Sequence, residues 1–211
     1  MDYPKSQLYH DVFTVEEIDQ LRTYFDQQPV AYTNETTGNQ SKNLDYHIPG
    51  SMAFKLIRPK LNKLLGADHQ VAISACQECH SPFQNHIDNH SYTEQWNAFN
   101  VQRKHELLFL IPLIEGDGLN TILFDKFSTD DVGMGQPLPK EWLNGSNDLD
   151  LNELTHIDQT ARDQLQYIKV DQVVNWKKGT MFSWHINQLH ASTNFKQHGI
   201  DVKKFILIGI A

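Results

Sequence analysis

Residues 106–125 read ELLFLIPLIEGDGLNTILFD. Glu106–Ile114 is an almost unbroken apolar run, the texture of a strand buried on both faces. Glu115-Gly116-Asp117-Gly118 is a turn signal, and Thr121-Ile122-Leu123-Phe124 is a second short strand. Further short strands surround this pair. Val71-Ala-Ile-Ser-Ala precedes it, and Tyr167–Val174 follows. Lys177-Lys178-Gly179 then makes a turn into Thr180–Trp184, and FILIGI at Phe205–Ile210 closes the chain. About seven or eight regularly spaced short strands predict a sandwich or barrel.

The first part has another character. Thr14-Val15-Glu16-Glu17 reads as a capping box, and Val15, Ile18, Leu21 and Phe25 recur at helical spacing, so 15–28 is a helix. Residues 31–50, rich in Asn, Thr, Ser and Gly, read as loop. A second helix is expected over 51–65 on Ile57, Leu61 and Leu64. Pro59 kinks it or marks its start, and Gly66 stops it. The fold class is therefore mainly β with N-terminal helices. Residues 1–69 supply supporting helices and loop, and 70–211 supply the β domain. A polar insertion at about 126–165, with a helix near 157–166, is too long for a simple connection and reads as a functional insertion or a lid.

A chain of 211 residues with 39% hydrophobic residues suits one domain of ordinary size. Mean hydropathy is -0.51, and no run approaches the roughly 18 apolar residues of a membrane span. The opening MDYPKSQLYHDVF has no basic segment leading into an apolar one, so a cytoplasmic location is expected. Net charge is -8, which favours solubility and disfavours nucleic acid as a partner. Cys76-Gln-Glu-Cys79-His80 fits the c-type haem attachment pattern. Haem attachment belongs outside the cytosol, and two thiols alone do not close a zinc site, so both are read as reduced strand cysteines.

His86-Ile87-Asp88 carries the chemistry. On a strand, residues i and i+2 share a face, so an imidazole and a carboxylate can meet one metal while Ile87 faces away. With one more His from elsewhere, such a pair makes the facial triad of non-haem iron(II) sites. The tripeptide pattern recurs at His156-Ile157-Asp158. That copy is placed in the expected helix, where i and i+2 diverge.

The third ligand is sought in Gly179-Thr-Met-Phe-Ser-Trp-His-Ile-Asn-Gln-Leu-His190. Here the chain resembles the 2-oxoglutarate/iron(II) oxygenase superfamily, in its phytanoyl- and prolyl-hydroxylase-like branch. Gly179, Trp184 and His190 match the family's turn glycine, strand aromatic and distal His, with His185 as the competing ligand. The strand pair after His86-Ile87-Asp88 and the stretch His190-Ala-Ser-Thr-Asn194 agree with it. The resemblance covers roughly 70–211 and implies a double-stranded β-helix, or jelly roll. It also implies iron(II) on His86, Asp88 and His190, with 2-oxoglutarate and dioxygen as cosubstrates and ascorbate as a reductant. The implied activity is a dioxygenase that hydroxylates a small molecule or a protein side chain and releases succinate and CO2. The family's basic anchor for 2-oxoglutarate falls at Lys203-Lys204. The apolar run favours Lys204, with Lys203 second, and Arg103 or Lys104 are the next candidates. Tyr92, Trp96, Asn97 and Asn100 are candidates to flank the iron, and Arg103 to bind a substrate carboxylate. The alternative is a cupin-like metal-binding protein or isomerase that does not use 2-oxoglutarate.

Overall fold

The computed structural model describes residues 3–88, 106–130 and 132–210. Ten strands are seen among them: β1 Gln7–Tyr9, β2 Val30–Thr33, β3 Gln40–Asn43, β4 Val71–Cys79, β5 Leu107–Pro112, β6 Asn120–Phe127, β7 Val170–Asn175, β8 Met181–His185, β9 Gln188–Ser192 and β10 Lys203–Ile210. A seven-stranded sheet runs β1-β8-β5-β10-β4-β3-β2, and a three-stranded sheet runs β7-β6-β9. The strand pairings are antiparallel. With helices packed on the larger sheet, this is the double-stranded β-helix.

The central strands of the large sheet are apolar on both faces because both faces are covered. Ile206, Ile208 and Ile210 of β10 and Phe109 and Ile111 of β5 lie in one cluster with the helices. Phe205, Leu207, Leu108, Leu110, Phe182 and Trp184 lie in a second, between the sheets. That alternation is the period of two expected of a strand. Helix α1 (Val15–Gln27) carries the predicted capping box at Thr14 and Glu17. It buries Ile18, Leu21 and Phe25 completely against the sheet. Each such side chain contributes about 1.5–3 kcal/mol by leaving water.

The expected helix over 51–65 is two, α2 (Met52–Leu56) and α3 (Arg58–Leu65), with Pro59 in the first turn of α3. There proline lacks an N–H that the helix would leave unpaired anyway. The expected loop over 31–50 contains β2 and β3, which extend the large sheet through β3–β4 pairing. Their turn is built by Asn34, whose Oδ1 accepts from the Thr36 and Thr37 N–H groups. An edge hairpin with a polar side has no need of the apolar alternation that would have marked it.

The 126–165 segment covers the outer face of the small sheet. Leu154, Ile157 and the Ala161 and Leu165 of α4 (Gln159–Leu165) pack with Ile122, Phe124 and Leu189. Of the two readings of this insertion, a lid does not fit these side chains, since they are core. Gly179 holds φ 87°, and a side chain there would press on the Phe13 carbonyl. The same turn ties the chain before α1 to the sheet, through bonds from the Val12 and Phe13 N–H groups to the Gly179 carbonyl.

Candidate functional site

Between the two sheets the structure brings His86, Asp88 and His190 together, one ligand atom of each lying within 4.8 Å of the others. His190 stands on β9. His86 is bridged to it by paired backbone bonds, His86 N to His190 O and His190 N to His86 O, both 3.0 Å. The His86–Asp88 segment is this one bridge and a turn, not the strand expected, with the Asp88 N–H held at 2.8 Å by the Ile186 carbonyl. The alternation survives all the same. Ile87 packs outward in the cluster under the 126–165 segment while its neighbours turn inward.

Both imidazoles are fixed from behind. His86 Nδ1 donates to the Gln84 carbonyl at 2.6 Å, and His190 Nδ1 donates to the Gln188 carbonyl at 3.0 Å. Each ring therefore turns Nε2 toward Asp88, at 3.7 Å from Oδ1 for His86 and 3.4 Å from Oδ2 for His190. A backbone acceptor on one ring nitrogen that leaves a lone pair on the other is the usual support of a metal-ligating histidine. Burial pushes both rings down to about 4, with the neighbouring ring adding to this for His86, so both are neutral near pH 7. Burial pushes Asp88 up to about 6, against the pull of His86 and of a hydrogen bond from Trp184. Two neutral nitrogens and one carboxylate are a donor set suited to a divalent first-row metal.

Trp184 Nε1 donates to Asp88 Oδ2 at 3.0 Å. It is the aromatic of β8, and its indole fixes the carboxylate's rotation. Removing such support typically costs about 10–100-fold in metal affinity. Trp184→Phe is therefore expected to weaken iron(II) binding by roughly that factor while the protein stays folded. Anaerobic titration checks it, and wild-type affinity in the variant would dismiss the indole's role.

The pocket holding the triad continues past Phe83, Thr121 and Ser192 to Lys203. Here the structure corrects the register expected for the last strand. Lys203 points inward, 3% exposed, and donates from Nζ to Ser192 Oγ at 2.9 Å. Lys204 points to the helix side, where Nζ meets Asp26 at 2.6 Å and Glu78 at 3.4 Å. Both faces of β10 are apolar, so the run of hydrophobic residues carries no sign of which lysine faces in. Among the described residues no carboxylate lies within ion-pair range of Lys203. Burial pushes its ammonium down to about 8, so it is still charged at neutral pH.

The other expected residues are placed as follows. His185 turns away from the triad; its Nδ1 accepts from the Asn187 N–H, and its ring lies 4.6 Å from Tyr3. His156 is in a turn before α4, not in the helix, and its Nε2 donates to the Phe83 carbonyl at 3.0 Å. Asp158 is the N-cap of α4. The second tripeptide is thus used for structure. Tyr92, Trp96, Asn97, Asn100, Arg103 and Lys104 lie outside the described residues. The sequence does not single out Ser192 or Thr121, both of which line the pocket. Ser192 follows His190 by two on the same strand, so the alternation could have placed it beside the site, whereas nothing in the sequence marks Thr121.

Cys76 and Cys79 are free, buried and on opposite faces of β4, Cys76 with the helices and Cys79 between the sheets. Two thiols on opposite faces do not reach one haem edge. Burial raises Cys79 to about 12 and Cys76 well above the ordinary thiol range, so both stay protonated. Cys76→Ser and Cys79→Ser are expected to retain iron stoichiometry. Each is expected to lose about 1–3 kcal/mol of stability for a buried hydroxyl. Thermal melts with metal analysis check both, and lost stoichiometry would make a thiol a ligand.

No family model and no curated protein matches the chain. Solved structures do. HygX from Streptomyces hygroscopicus, determined with nickel and 2-oxoglutarate bound, has a TM-score of 0.56 at 11% identity, over 100% of this chain and 84% of its own. The 2-oxoglutarate-dependent carbocyclase SnoK of nogalamycin biosynthesis gives 0.55 at 11% identity, over 97% and 78%. An oxidoreductase of the 2OG-Fe(II) oxygenase family from Burkholderia pseudomallei gives 0.53 at 8% identity, over 98% and 85%. The chain has the fold of the 2-oxoglutarate/iron(II) oxygenases.

Proposed function

We propose that the protein is an iron(II)/2-oxoglutarate-dependent dioxygenase acting on a small molecule or a protein side chain. The observation that carries this reading is the pairing, in one pocket, of the His86–Asp88–His190 cluster with the buried ammonium of Lys203. A buried cation without a counter-charge is costly unless a ligand supplies one. The metal cluster alone would suit a cupin-like metal protein or isomerase as well, but such a protein has no use for Lys203.

The residues fit the implied groups. His86, Asp88 and His190 would hold iron(II), leaving positions open for the cosubstrates. Lys203 and the Ser192 hydroxyl would receive the far carboxylate of 2-oxoglutarate. Ser192 is two residues from His190 along β9, roughly 7 Å, a span that a short dicarboxylate bridges. Bound there, iron(II) with 2-oxoglutarate and dioxygen supplies oxidative decarboxylation to succinate and CO2, coupled to oxidation of the substrate. Phe83, Leu110 and Phe205 line the pocket and keep water from the charged contacts, which strengthens them. Anaerobic titration with iron(II) and then 2-oxoglutarate is expected to give the weak visible charge-transfer band of the chelate. Air with ascorbate is then expected to give succinate. A protein that binds iron(II) but yields neither band nor succinate would be the cupin-like alternative.

A further inference from the structure

Lys203 raises a question that the pocket itself does not answer. Its ammonium is buried, yet among the described residues no carboxylate balances it. Against it lies Trp176, which is not among the residues lining the pocket. The indole is 2% exposed and its ring centroid is 4.4 Å from Nζ. Phe205 at 5.5 Å and Phe83 at 5.7 Å complete a partial aromatic enclosure. Trp176 is itself held firmly. Its N–H donates to the Leu119 carbonyl at 3.0 Å, its Nε1 donates to Thr121 Oγ1 at 3.0 Å, and Phe205 meets its ring edge-on at 5.4 Å.

We propose that Trp176 is a positioning residue for the cosubstrate, its ring face holding the Lys203 ammonium aimed into the pocket in place of a counter-ion. This rests on the oxygenase reading above. The face of an indole attracts a cation through its quadrupole, more strongly than any other side-chain ring and most strongly where water is excluded. It carries no net charge, so it steadies the ammonium without competing with an incoming carboxylate. A glutamate in the same place would have to be displaced by the ligand. The ring also confines a long, flexible side chain before the ligand arrives, which removes part of the ordering cost from binding. Thr121, which lines the pocket and accepts from the indole, fixes the ring plane.

The test measures anaerobic 2-oxoglutarate affinity of the iron(II)-loaded protein for wild type, Lys203→Ala, Trp176→Leu and Trp176→Phe, with turnover beside it. Trp176→Leu is expected to raise the dissociation constant and KM for 2-oxoglutarate roughly 10–30-fold. Its kcat at saturating 2-oxoglutarate is expected to stay within about twofold, since the anchor acts alike in ground and transition states. Trp176→Phe keeps a ring face without the Thr121 bond and is expected to recover most of the loss. Iron(II) affinity is expected to be unchanged throughout. If the leucine variant does not fold, site-specific fluorinated tryptophans keep the shape while weakening the ring face, and affinity is expected to fall stepwise with each fluorine. Affinity lost in Lys203→Ala but unchanged in Trp176→Leu, or a flat fluorine series, would overturn the role of Trp176 alone. A wild-type protein that binds iron(II) but not 2-oxoglutarate would overturn the oxygenase reading and this inference together.

Discussion

Asp88→Ala is expected to abolish iron(II) binding at concentrations that saturate the wild type, and with it all succinate formation. The cluster has one anionic donor, and its removal leaves two neutral imidazoles. Thermal melts separate this from misfolding. A metal held at 100 times its dissociation constant stabilises a protein by about 2.7 kcal/mol, or roughly 5–10 °C in Tm for a chain of this size. Wild type is expected to show that rise with iron(II) under anaerobic conditions, and Asp88→Ala none. Without metal the variant is expected to melt no lower than wild type, since burial disfavours the Asp88 carboxylate until a cation meets it. His86→Ala and His190→Ala are expected to lose the metal-induced rise too. His156→Ala and Asp158→Ala are controls: the second removes the N-cap of α4 and lowers stability by about 1 kcal/mol, with the metal increment intact. A metal increment that followed the second tripeptide and not the first would move the centre elsewhere.

The sequence separates these two tripeptides by context alone, and the structure differs from that context in both. The expected helix would make His156 and Asp158 diverge, yet His156 stands in a turn and Asp158 is spent on the cap. The expected strand at His86 is a single bridge to His190. What is legible in both is the central isoleucine: Ile87 and Ile157 are buried in the same cluster under the 126–165 segment. The central strands were legible because they are long, apolar and bounded by turn glycines. Strands β1, β2, β3 and β9 were not. Strands β1 and β2 are short edge strands, and β3, though paired on both sides, buries Ser41 and Lys42 on bonds to Gln77 and the Phe25 carbonyl instead of an apolar face. In β9 every residue is buried, and Gln188, His190 and Ser192 face polar partners between the sheets, so its sequence lacks the apolar texture of a core strand. The capping box of α1 was readable because its chemistry is local, within four residues. The facing of Lys203 and Lys204 depends on a register set by Cys79 and Glu78 across the sheet, which no local pattern records.

That register makes the lysine pair the sharpest test of the site. Lys203→Ala is expected to weaken 2-oxoglutarate binding by about two to three and a half orders of magnitude, the roughly 3–5 kcal/mol lost when one member of a buried charged pair is removed. The loss is expected chiefly in KM, since the far carboxylate is held equally before and during reaction. Lys203→Arg keeps the charge and is expected to retain part of the affinity. Lys204→Ala is expected to leave 2-oxoglutarate affinity unchanged. It breaks part-exposed ion pairs to Asp26 and Glu78 that contribute at most about 1 kcal/mol. The pH dependence gives a second, independent reading. Only the protonated amine attracts the carboxylate, and the ligand-free ammonium titrates at about 8. Affinity is therefore expected to be level below that pH and to fall about tenfold per unit above it, while the carboxylates of 2-oxoglutarate stay ionised throughout. In Lys203→Arg the fall is expected to vanish, because a guanidinium keeps its proton across the range. Binding measured anaerobically from pH 6.5 to pH 9.5 on the iron(II)-loaded variants reads all of these. A large loss in Lys204→Ala with Lys203→Ala near wild type would put the last strand one residue out of the register described. A wild-type profile that stays flat to the alkaline end would mean that the ligand's far carboxylate is held by something other than the charge on Lys203.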